Sequence, residues 1–316
     1  MRNGPVAPLA QELLLIPGLK LKLNESLARY TSIKIGGPAD LFLEIPTTSA
    51  LAQSLRLLNQ HHTPFLLLGK GSNVLISDRG VRGAVLRLGG DFKRAEWRAQ
   101  KRHVSLIVGA AYPVALLVRE AVRKGFAGLE FAEGIPATVG GATVMNAGAY
   151  GSEMEKVVAR IEGLTPKGEE KVFGQGDLSF SYRATHMPQG FIVTRVWFAL
   201  SHGDTAEMQD KMRALVARRK HSQPAGFPNA GSMFRNPPSD FAGRLIEAAG
   251  LKGHAIGQAQ ISERHANFIV NLGGARAEDV KKLMDLARAE VKNKFAVELM
   301  PEIHLVGEWP QTPEAR

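Results

Sequence analysis

Short apolar runs bounded by glycine, proline or aspartate alternate with longer amphipathic segments along the first two-thirds of the chain. The runs have the length of strands and cover residues 41–45, 65–68, 84–88 and 104–108. Between them, residues 47–60 and 113–124 are predicted to be helices, with Thr48 as the N-cap of the first and Pro113 in the first turn of the second. Strands that alternate with helices predict an α/β or α+β arrangement.

A second strand-rich stretch and a helical final third follow. The predicted strands cover residues 157–164, 170–173 and 192–200, and a helix from about 204 to 220 has on one face Met208, Met212, Leu215 and Val216. Residues 223–229, rich in proline and glycine, are the best candidate for a linker. The elements predicted beyond it are a helix at 241–251, a strand at 268–271, a helix at 277–295 and a strand at 298–306. The long helix carries one apolar stripe, formed by Val280, Leu283, Met284, Ala287 and Val291.

The charge balance indicates an anionic partner. Lys and Arg number 40 against 30 Asp and Glu, which gives a net charge of +10 and suits nucleic acid, a membrane surface or a phosphate-bearing small molecule. The basic residues are spread along the chain and only 7% of residues are aromatic, which disfavours a nucleic-acid-binding protein. No apolar run approaches the roughly 20 residues that a membrane-spanning helix needs. With no targeting segment recognised, we expect a cytoplasmic protein without membrane insertion.

Missing residue types and motifs exclude several classes of catalytic and metal-binding site. The chain has no cysteine, which excludes disulfides, thiolate metal sites, iron–sulfur clusters and cysteine nucleophiles. Its nine histidines show no metal-ligand spacing, since His61 and His62 are adjacent and no His-Glu-x-x-His motif occurs. We therefore predict that the protein uses no metal ion.

Three glycine-rich clusters are the most distinctive local feature. They are residues 31–39 (TSIKIGGPA), 69–75 (GKGSNVL) and 134–142 (GIPATVGGA), the last of which runs on to 146–151 (NAGAYG). Glycine lets backbone N–H groups approach a phosphate without an intervening Cβ. Val74 occupies the third Rossmann glycine position, and Lys70 lacks the upstream glycine and following Ser or Thr of a Walker A loop. The clusters predict a pyrophosphate-bearing cofactor held by a non-Rossmann fold; the alternative is that each is only a set of tight turns.

In this order the clusters resemble those of the UDP-N-acetylenolpyruvoylglucosamine reductase family, and the resemblance extends from about Asn24 to Val306. It implies an α+β fold: an N-terminal segment (1–22), a two-subdomain FAD-binding region of the vanillyl-alcohol-oxidase type (23–222, divided at about residue 90) and a smaller α+β substrate-binding domain (223–316). One departure is Ala137, where the family commonly has glycine. The resemblance implies noncovalent FAD contacts from Ile35, Gly36, Gly37, Gly69, Lys70, Gly71, Ser72, Asn73, Gly134, Ile135, Gly140, Gly141, Asn146, Gly148 and Ala149.

The resemblance also implies a reaction. NADPH gives a hydride to FAD, and reduced flavin passes it to the β-carbon of UDP-N-acetylglucosamine enolpyruvate, which yields UDP-N-acetylmuramate for peptidoglycan synthesis. Because negative charge accumulates on the α-carbon and its carboxylate, the site needs cationic or protonated groups and a proton donor. The implied roles are proton donation by Ser232 and carboxylate stabilisation by Arg183 and Glu302. Glu302 can help an anionic substrate only in its protonated form.

Each of these residues has a less specific interpretation. Ser232 suits an ordinary turn and lacks a Gly-x-Ser-x-Gly elbow, Arg183 suits a surface ion pair, and Glu302 suits a strand edge. The implied substrate-binding residues are Tyr182, Lys220, Arg235 and Asn236. The basic run 218–220 is either a site for the UDP diphosphate or a solvated helix end.

The chain between Arg183 and Lys220 is too short to hold the substrate-covering loop and tyrosine of one branch of the family, which indicates the shorter second type. The alternative function is that of another noncovalent-FAD oxidoreductase of the same superfamily, acting on an alcohol or sugar. The preference for NADPH over NADH and the oligomeric state stay open.

Overall fold

The computed structural model describes residues 6–99 and 104–310, so the first residues of the predicted N-terminal segment 1–22 lie outside the described part. The helices are α1 Val6–Leu14, α2 Thr48–Gln60, α3 Val114–Arg123, α4 Val139–Val144, α5 Thr205–Ser222, α6 Ala242–Ala248 and α7 Ala277–Phe295. The strands are β1 Lys20–Ser26, β2 Pro38–Ile45, β3 Phe65–Leu67, β4 Val74–Ile76, β5 Val81–Leu88, β6 Ala95–Ala99, β7 Val104–Gly109, β8 Phe126–Ala127, β9 Gly148–Ala149, β10 Ser152–Glu153, β11 Val158–Leu164, β12 Glu170–Gly174, β13 Ser179–Ser181, β14 Ala184–His186, β15 Ile192–His202, β16 Asn229–Ser232, β17 Ala255–Ile256, β18 Ala259–Ile261, β19 Phe268–Asn271 and β20 His304–Val306. None of the described helices is long and apolar enough to span a bilayer.

The chain forms two compact units. The first contains the residues through Lys22 together with Leu41–Lys70 and Ala84–Arg219, and the second contains Leu23–Asp40, Gly71–Gly83 and the chain from Lys220. The last division falls close to the linker predicted at 223–229. Residues 23–40 and 71–83, predicted within the first subdomain of the FAD-binding region, group instead with the C-terminal part of the chain.

Tertiary hydrogen bonds explain this grouping. The Asn271 side chain donates to the carbonyl oxygen of Ile33, and the Asp78 carboxylate accepts from the backbone N–H groups of Ala277 and Glu278. Periodicity along the chain carries no information about bonds between residues so far apart in sequence.

The first unit packs helices against strands that are antiparallel throughout its larger sheet, whereas β3 pairs with β5 in parallel. Its larger sheet has the order β12-β11-β15-β7-β6 with β8 beside β15, and residues 41–45, 65–67 and 84–88 of this unit belong to a sheet with the order β1-β2-β5-β3. Predicted helix limits need small corrections: Thr47 rather than Thr48 caps α2, since its Oγ1 accepts the N–H of Ala50, and Pro113 precedes α3 as its N-cap. The predicted apolar face of α5 is buried only at Met208, while Val216 is 43% exposed.

The second unit packs α6 and α7 on the antiparallel sheet β16-β19-β18-β17. The long helix and β19 have the predicted limits, and the whole predicted stripe of α7 is buried. The predicted strand at 298–306 is shorter, because only residues 304–306 form a strand, in parallel with β4. Pro301, which has no N–H to donate, makes only an isolated bridge with Phe234.

Asp78 caps α7 from a distant part of the sequence. Its two carboxylate oxygens accept the N–H groups of Ala277 and Glu278, at 2.9 and 3.1 Å. We expect Asp78→Ala to lower the free energy of unfolding by about 1–2 kcal/mol, because two N–H groups at the start of the helix lose their acceptor. Urea denaturation measures the effect. Asp210→Ala, which removes an exposed carboxylate paired with a neighbour on α5, should change it by less than about 0.5 kcal/mol. Equal midpoints for wild type and Asp78→Ala would contradict the capping role.

Candidate functional site

The third glycine cluster forms the loop before α4 and the first turn of that helix, within the first unit. Thr138 caps this helix, since its Oγ1 accepts the N–H of Gly141 at 3.3 Å. Gly134 has φ +78°, a left-handed conformation that favours glycine. Gly140 is required by packing, because a Cβ there would lie 2.8 Å from the Cβ of Ala110. The loop and the first turn of α4 are therefore tightly packed, and Gly141 in that turn is exposed.

The start of the second cluster lies against the same turn. A Cβ on Gly69 would lie 2.9 Å from Oγ1 of Thr138, so the first unit brings these two clusters into contact. The backbone N–H groups of Gly69, Lys70 and Gly134 donate to no other group among residues 6–99 and 104–310. Backbone N–H groups next to glycine, with no Cβ above them, suit phosphate oxygens. These N–H groups are therefore available as donors to the phosphates of a dinucleotide cofactor.

Arg183 lies at the tip of the hairpin β13–β14. Tyr182 and Arg183 form its turn, because Ser181 pairs with Ala184 in the ladder. The Arg183 guanidinium donates from NH1 to the carbonyl oxygen of Gly148 at 3.1 Å and lies 5.2 Å from the centre of the Tyr182 ring. Arg183 is thus in contact with the third glycine cluster, and Tyr182 beside it is 51% exposed.

The segment after α4 contains three of the predicted cofactor contacts, which are Asn146, Gly148 and Ala149. The Asn146 side chain is fully buried: Nδ2 donates to the carbonyl oxygen of Ser181 at 3.2 Å, and Oδ1 accepts the N–H of Glu155 at 3.0 Å. Gly148 and Ala149 form β9 and pair with β10. Ile135 is half-buried in the loop before α4. Asn146 was predicted as an FAD contact, but its side chain bonds inside the protein.

Arg219 joins this region although the sequence indicated it only as part of the run 218–220. Its Cδ lies 3.0 Å from the position that a Cβ on Gly134 would take. Burial lowers the pKa of the Arg219 guanidinium, and the neighbouring Tyr150 partly offsets that effect. Arg218 stacks over the Tyr150 ring at 5.3 Å. Arg219 of the basic run therefore lies against the third cluster in the first unit. Lys220, the last residue of the run, is exposed and belongs to the second unit.

The second unit brings Ser232 and Glu302 together on neighbouring backbone segments. The N–H of Glu302 donates to the carbonyl oxygen of Met233 at 2.8 Å, and the N–H of Arg235 donates to that of Met300 at 2.9 Å. Both Ser232 and Glu302 are half-buried. A hydroxyl and a carboxyl group held on adjacent segments can act on the same small molecule, as proton donor and as partner for a carboxylate.

The remainder of the second glycine cluster lies beside this pair. The Asn73 side chain donates to the carbonyl oxygen of Glu302 at 3.4 Å. The carbonyl oxygen of Ser72 lies 3.8 Å from the position that a Cβ on Gly231 would take, directly before Ser232. Ser72 and Asn73 therefore border the Ser232–Glu302 pair in the second unit.

Other predicted residues of the second unit have a structural reason for their identity. A Cβ on Gly37 would lie 2.2 Å from the carbonyl oxygen of Asp78, and one on Gly71 would lie 2.3 Å from that of Tyr30. The close approach of these carbonyl oxygens is by itself sufficient to require glycine at both positions. The remaining positions are as follows: Ile35 is buried in the core, Gly36 is half-buried at φ +151°, Arg235 is exposed, and exposed Asn236 accepts the first N–H of α6.

No group of three or more histidine, aspartate or glutamate side chains is arranged to hold a metal ion within the part of the chain that the structure describes. The first unit gathers Arg183, Tyr182 and Arg219 with the glycines of the third cluster and Gly69. The second unit gathers Ser232 and Glu302 with Ser72 and Asn73.

Comparisons with known proteins agree along the chain. The family model described as UDP-N-acetylenolpyruvoylglucosamine reductase, C-terminal domain, matches residues 223–306, and the model described as FAD binding domain matches residues 39–174. UDP-N-acetylenolpyruvoylglucosamine reductase 2 of Symbiobacterium thermophilum is 44% identical over 312 residues, which cover 98% of this chain and 99% of the relative. The corresponding reductase of Caldanaerobacter subterraneus subsp. tengcongensis is 43% identical and covers 92% and 94%. The crystal structure of the Thermus caldophilus reductase superposes with a TM-score of 0.78 at 38% identity, over 92% of this chain and 99% of that chain.

Proposed function

Because this chain belongs to the UDP-N-acetylenolpyruvoylglucosamine reductase family, we propose that it reduces UDP-N-acetylglucosamine enolpyruvate to UDP-N-acetylmuramate with NADPH and FAD. It is an FAD-dependent oxidoreductase of peptidoglycan precursor synthesis, and the predicted α+β fold with an FAD-binding region is confirmed. Through that pathway it serves cell-wall biogenesis, cell shape and cell division, and it acts in the cytoplasm.

FAD, when bound, accepts a hydride from NADPH and delivers it to the substrate. The backbone N–H groups of Gly69, Lys70 and Gly134 are the donors best suited to its diphosphate. We keep as proposed contacts the other predicted positions, which are Ile35, Gly36, Gly37, Gly71, Ser72, Asn73, Ile135, Gly140, Gly141, Gly148 and Ala149, together with Asn146 through its backbone. Residues 23–222 are the proposed FAD-binding region and 223–316 the substrate-binding domain, a division that the ranges of the two family models support.

Three side chains carry the proposed chemistry. The Arg183 guanidinium binds the enolpyruvyl carboxylate through its planar fork, and protonated Glu302 donates to the same anion as charge grows. Ser232 gives its proton to the α-carbon. A hydroxyl is a weak acid, so Ser232 can act only on a strongly basic carbanion or when a relay restores its proton. The half-buried positions of Ser232 and Glu302 on adjoining segments support a joint role.

The proposed substrate contacts outside the reacting centre are Tyr182, Lys220, Arg235 and Asn236. Tyr182 presents its ring beside Arg183 at the hairpin tip, and Lys220 and Arg235 are exposed cations. Cations at such positions suit the two phosphates of a UDP-sugar. The side-chain oxygen of Asn236 is engaged with α6, so this residue would present its NH₂ group.

The observation that carries the proposal is that backbone hydrogen bonds join the segments of Ser232 and Glu302, with Ser72 and Asn73 beside them. Purified protein should show the visible absorption bands of oxidised flavin, or acquire them on incubation with FAD. NADPH oxidation should then accelerate when UDP-N-acetylglucosamine enolpyruvate is added. Colourless protein that cannot be reconstituted would contradict the proposal. Flavin reduced by an alcohol or sugar but not reoxidised by the enolpyruvate would instead support the alternative oxidoreductase.

A further inference from the structure

Hydrogen bonds tie the hairpin that carries Arg183 to the segment that follows α4. We propose that Asn146 is a positioning residue for Arg183, which it holds through the hairpin backbone in the orientation that receives the substrate carboxylate. This inference rests on the proposed function. The bonds are from Asn146 Nδ2 to Ser181 O, from Thr185 Oγ1 to Thr143 O, and from Arg183 NH1 to Gly148 O.

The hairpin needs this external support. Its strands, β13 and β14, are short and pair only with each other in a two-stranded sheet, an arrangement that is marginal by itself in water. Arg183 has φ +60°, a left-handed conformation that is unfavourable for a residue with a long side chain. Tyr182 does not share a positive φ, so the turn differs from the type I′ turn that best matches the twist of paired strands. A weak ladder with a strained tip keeps one geometry only when its surroundings impose it.

Asn146 supplies the external hydrogen bond to the residue directly before the turn. A carboxamide offers both a donor and an acceptor, and here the donor reaches Ser181, directly before the turn, while the acceptor receives the N–H of Glu155. The side chain is fully buried, so water does not compete for either bond. Asparagine also tolerates the left-handed backbone, φ +39°, that this position requires. One side chain thus fixes the hairpin relative to the segment whose Gly148 carbonyl receives Arg183.

Asn146→Asp isolates the donor. The substitution keeps the volume, the tolerance of a left-handed backbone and the acceptor for the Glu155 N–H, but an ionised carboxylate cannot donate to the carbonyl oxygen of Ser181. We expect kcat/KM for the enolpyruvate substrate to fall about 10- to 100-fold at pH 8, because a small displacement of a substrate-orienting group has effects of that size. Flavin reduction by NADPH, followed separately by stopped flow, should stay within about twofold of wild type.

The matched control is Asn59→Asp on α2 in the same unit. Its Nδ2 also donates to a backbone carbonyl oxygen, that of Pro166 at 2.8 Å, but at an exposed position with no link to the hairpin. Both steps of this control should stay within about twofold of wild type. If Asn59→Asp lost as much kcat/KM as Asn146→Asp, the positioning role of Asn146 would be overturned, because the loss of any side-chain amide would then have the same effect.

The pH dependence gives a readout that general disruption of the fold would not produce. A protonated carboxyl group at position 146 can donate its O–H to Ser181, and burial beside a carbonyl oxygen raises the pKa of such a group. The ratio of variant to wild-type kcat/KM should therefore rise as the pH is lowered through that pKa, and fall again as the pH is raised. A ratio that is low and independent of pH would overturn the positioning role.

A double-mutant cycle tests whether Asn146 acts through Arg183. In an Arg183→Ala background, Asn146→Asp should cost less than about threefold in kcat/KM, because the side chain that it positions is gone. Full additivity would overturn the proposal. If Asn146→Asp does not fold, Thr185→Val removes the neighbouring bond to Thr143 and should give the same selective loss in the substrate step. Wild-type protein without flavin or turnover would refute the proposed function, whereas an active wild type with an equally active Asn146→Asp would refute this inference alone.

Discussion

Ser232→Ala is expected to abolish most substrate reduction while leaving flavin reduction by NADPH unchanged. The hydroxyl is the proposed donor of the proton to the α-carbon, and a positioned general acid contributes about 10²- to 10⁴-fold. We therefore expect the rate of flavin reoxidation by the enolpyruvate to fall about 10³-fold. Anaerobic stopped-flow measurements at the flavin absorption band separate the two half-reactions.

The control for this variant is Ser239→Ala, an exposed serine of the same unit. It should keep both half-reactions within about twofold of wild type. Ser232→Cys, which retains a proton donor, should recover part of the activity lost by Ser232→Ala. If Ser232→Ala slowed both half-reactions equally, the residue would be structural rather than catalytic.

Replacing Arg183 should give the other large effect. Arg183→Ala removes the planar guanidinium that binds the carboxylate on which charge grows. We therefore expect kcat/KM for the enolpyruvate to fall about 10²- to 10³-fold, through a higher KM and a lower kcat. Arg56→Ala, an exposed arginine on α2 in the same unit, should leave kcat/KM within about twofold.

Arg183→Gly adds a test of backbone strain. It should lose as much activity as Arg183→Ala, yet unfold with a free energy about 1 kcal/mol higher than that variant, because glycine adopts φ +60° without penalty. Urea denaturation of the two variants gives the comparison. Wild-type kcat/KM in Arg183→Ala would rule out the carboxylate-binding role, and equal stability of the two variants would rule out strain at this turn.

Strong periodicity was sufficient to predict parts of the fold. The limits of α7 and β19 could be predicted because the hydrophobic pattern of each element depends only on which of its own residues are buried. The predicted apolar face of α5 is buried only at its start, since amphipathic spacing indicates a face that could be buried but not how much partner surface exists. The hairpin β13–β14 was not predicted, because its strands are too short for a period and its turn carries no glycine.

Some features of the candidate site could likewise be predicted from the sequence, and others could not. Sequence motifs identified Ser232 and Glu302, but only backbone bonds show that the segments carrying them are adjacent. Asn146 stands in a glycine-rich motif and was predicted as an FAD contact, yet its side chain bonds inward to the Arg183 hairpin. Gly37 is required by the close approach of Asp78. Local sequence indicates that a position is constrained, whereas the direction of its side chain depends on distant segments.

In the proposed reaction, the hydride on the flavin of this protein passes to the enolpyruvyl double bond. The most direct measurement is an anaerobic titration in which FAD-loaded protein is first reduced with NADPH, then mixed with UDP-N-acetylglucosamine enolpyruvate, and its products are identified by mass spectrometry. We expect stoichiometric return of the oxidised flavin spectrum with formation of an equal amount of UDP-N-acetylmuramate. Flavin that stays reduced in the presence of excess substrate, on protein with full FAD content, would contradict it.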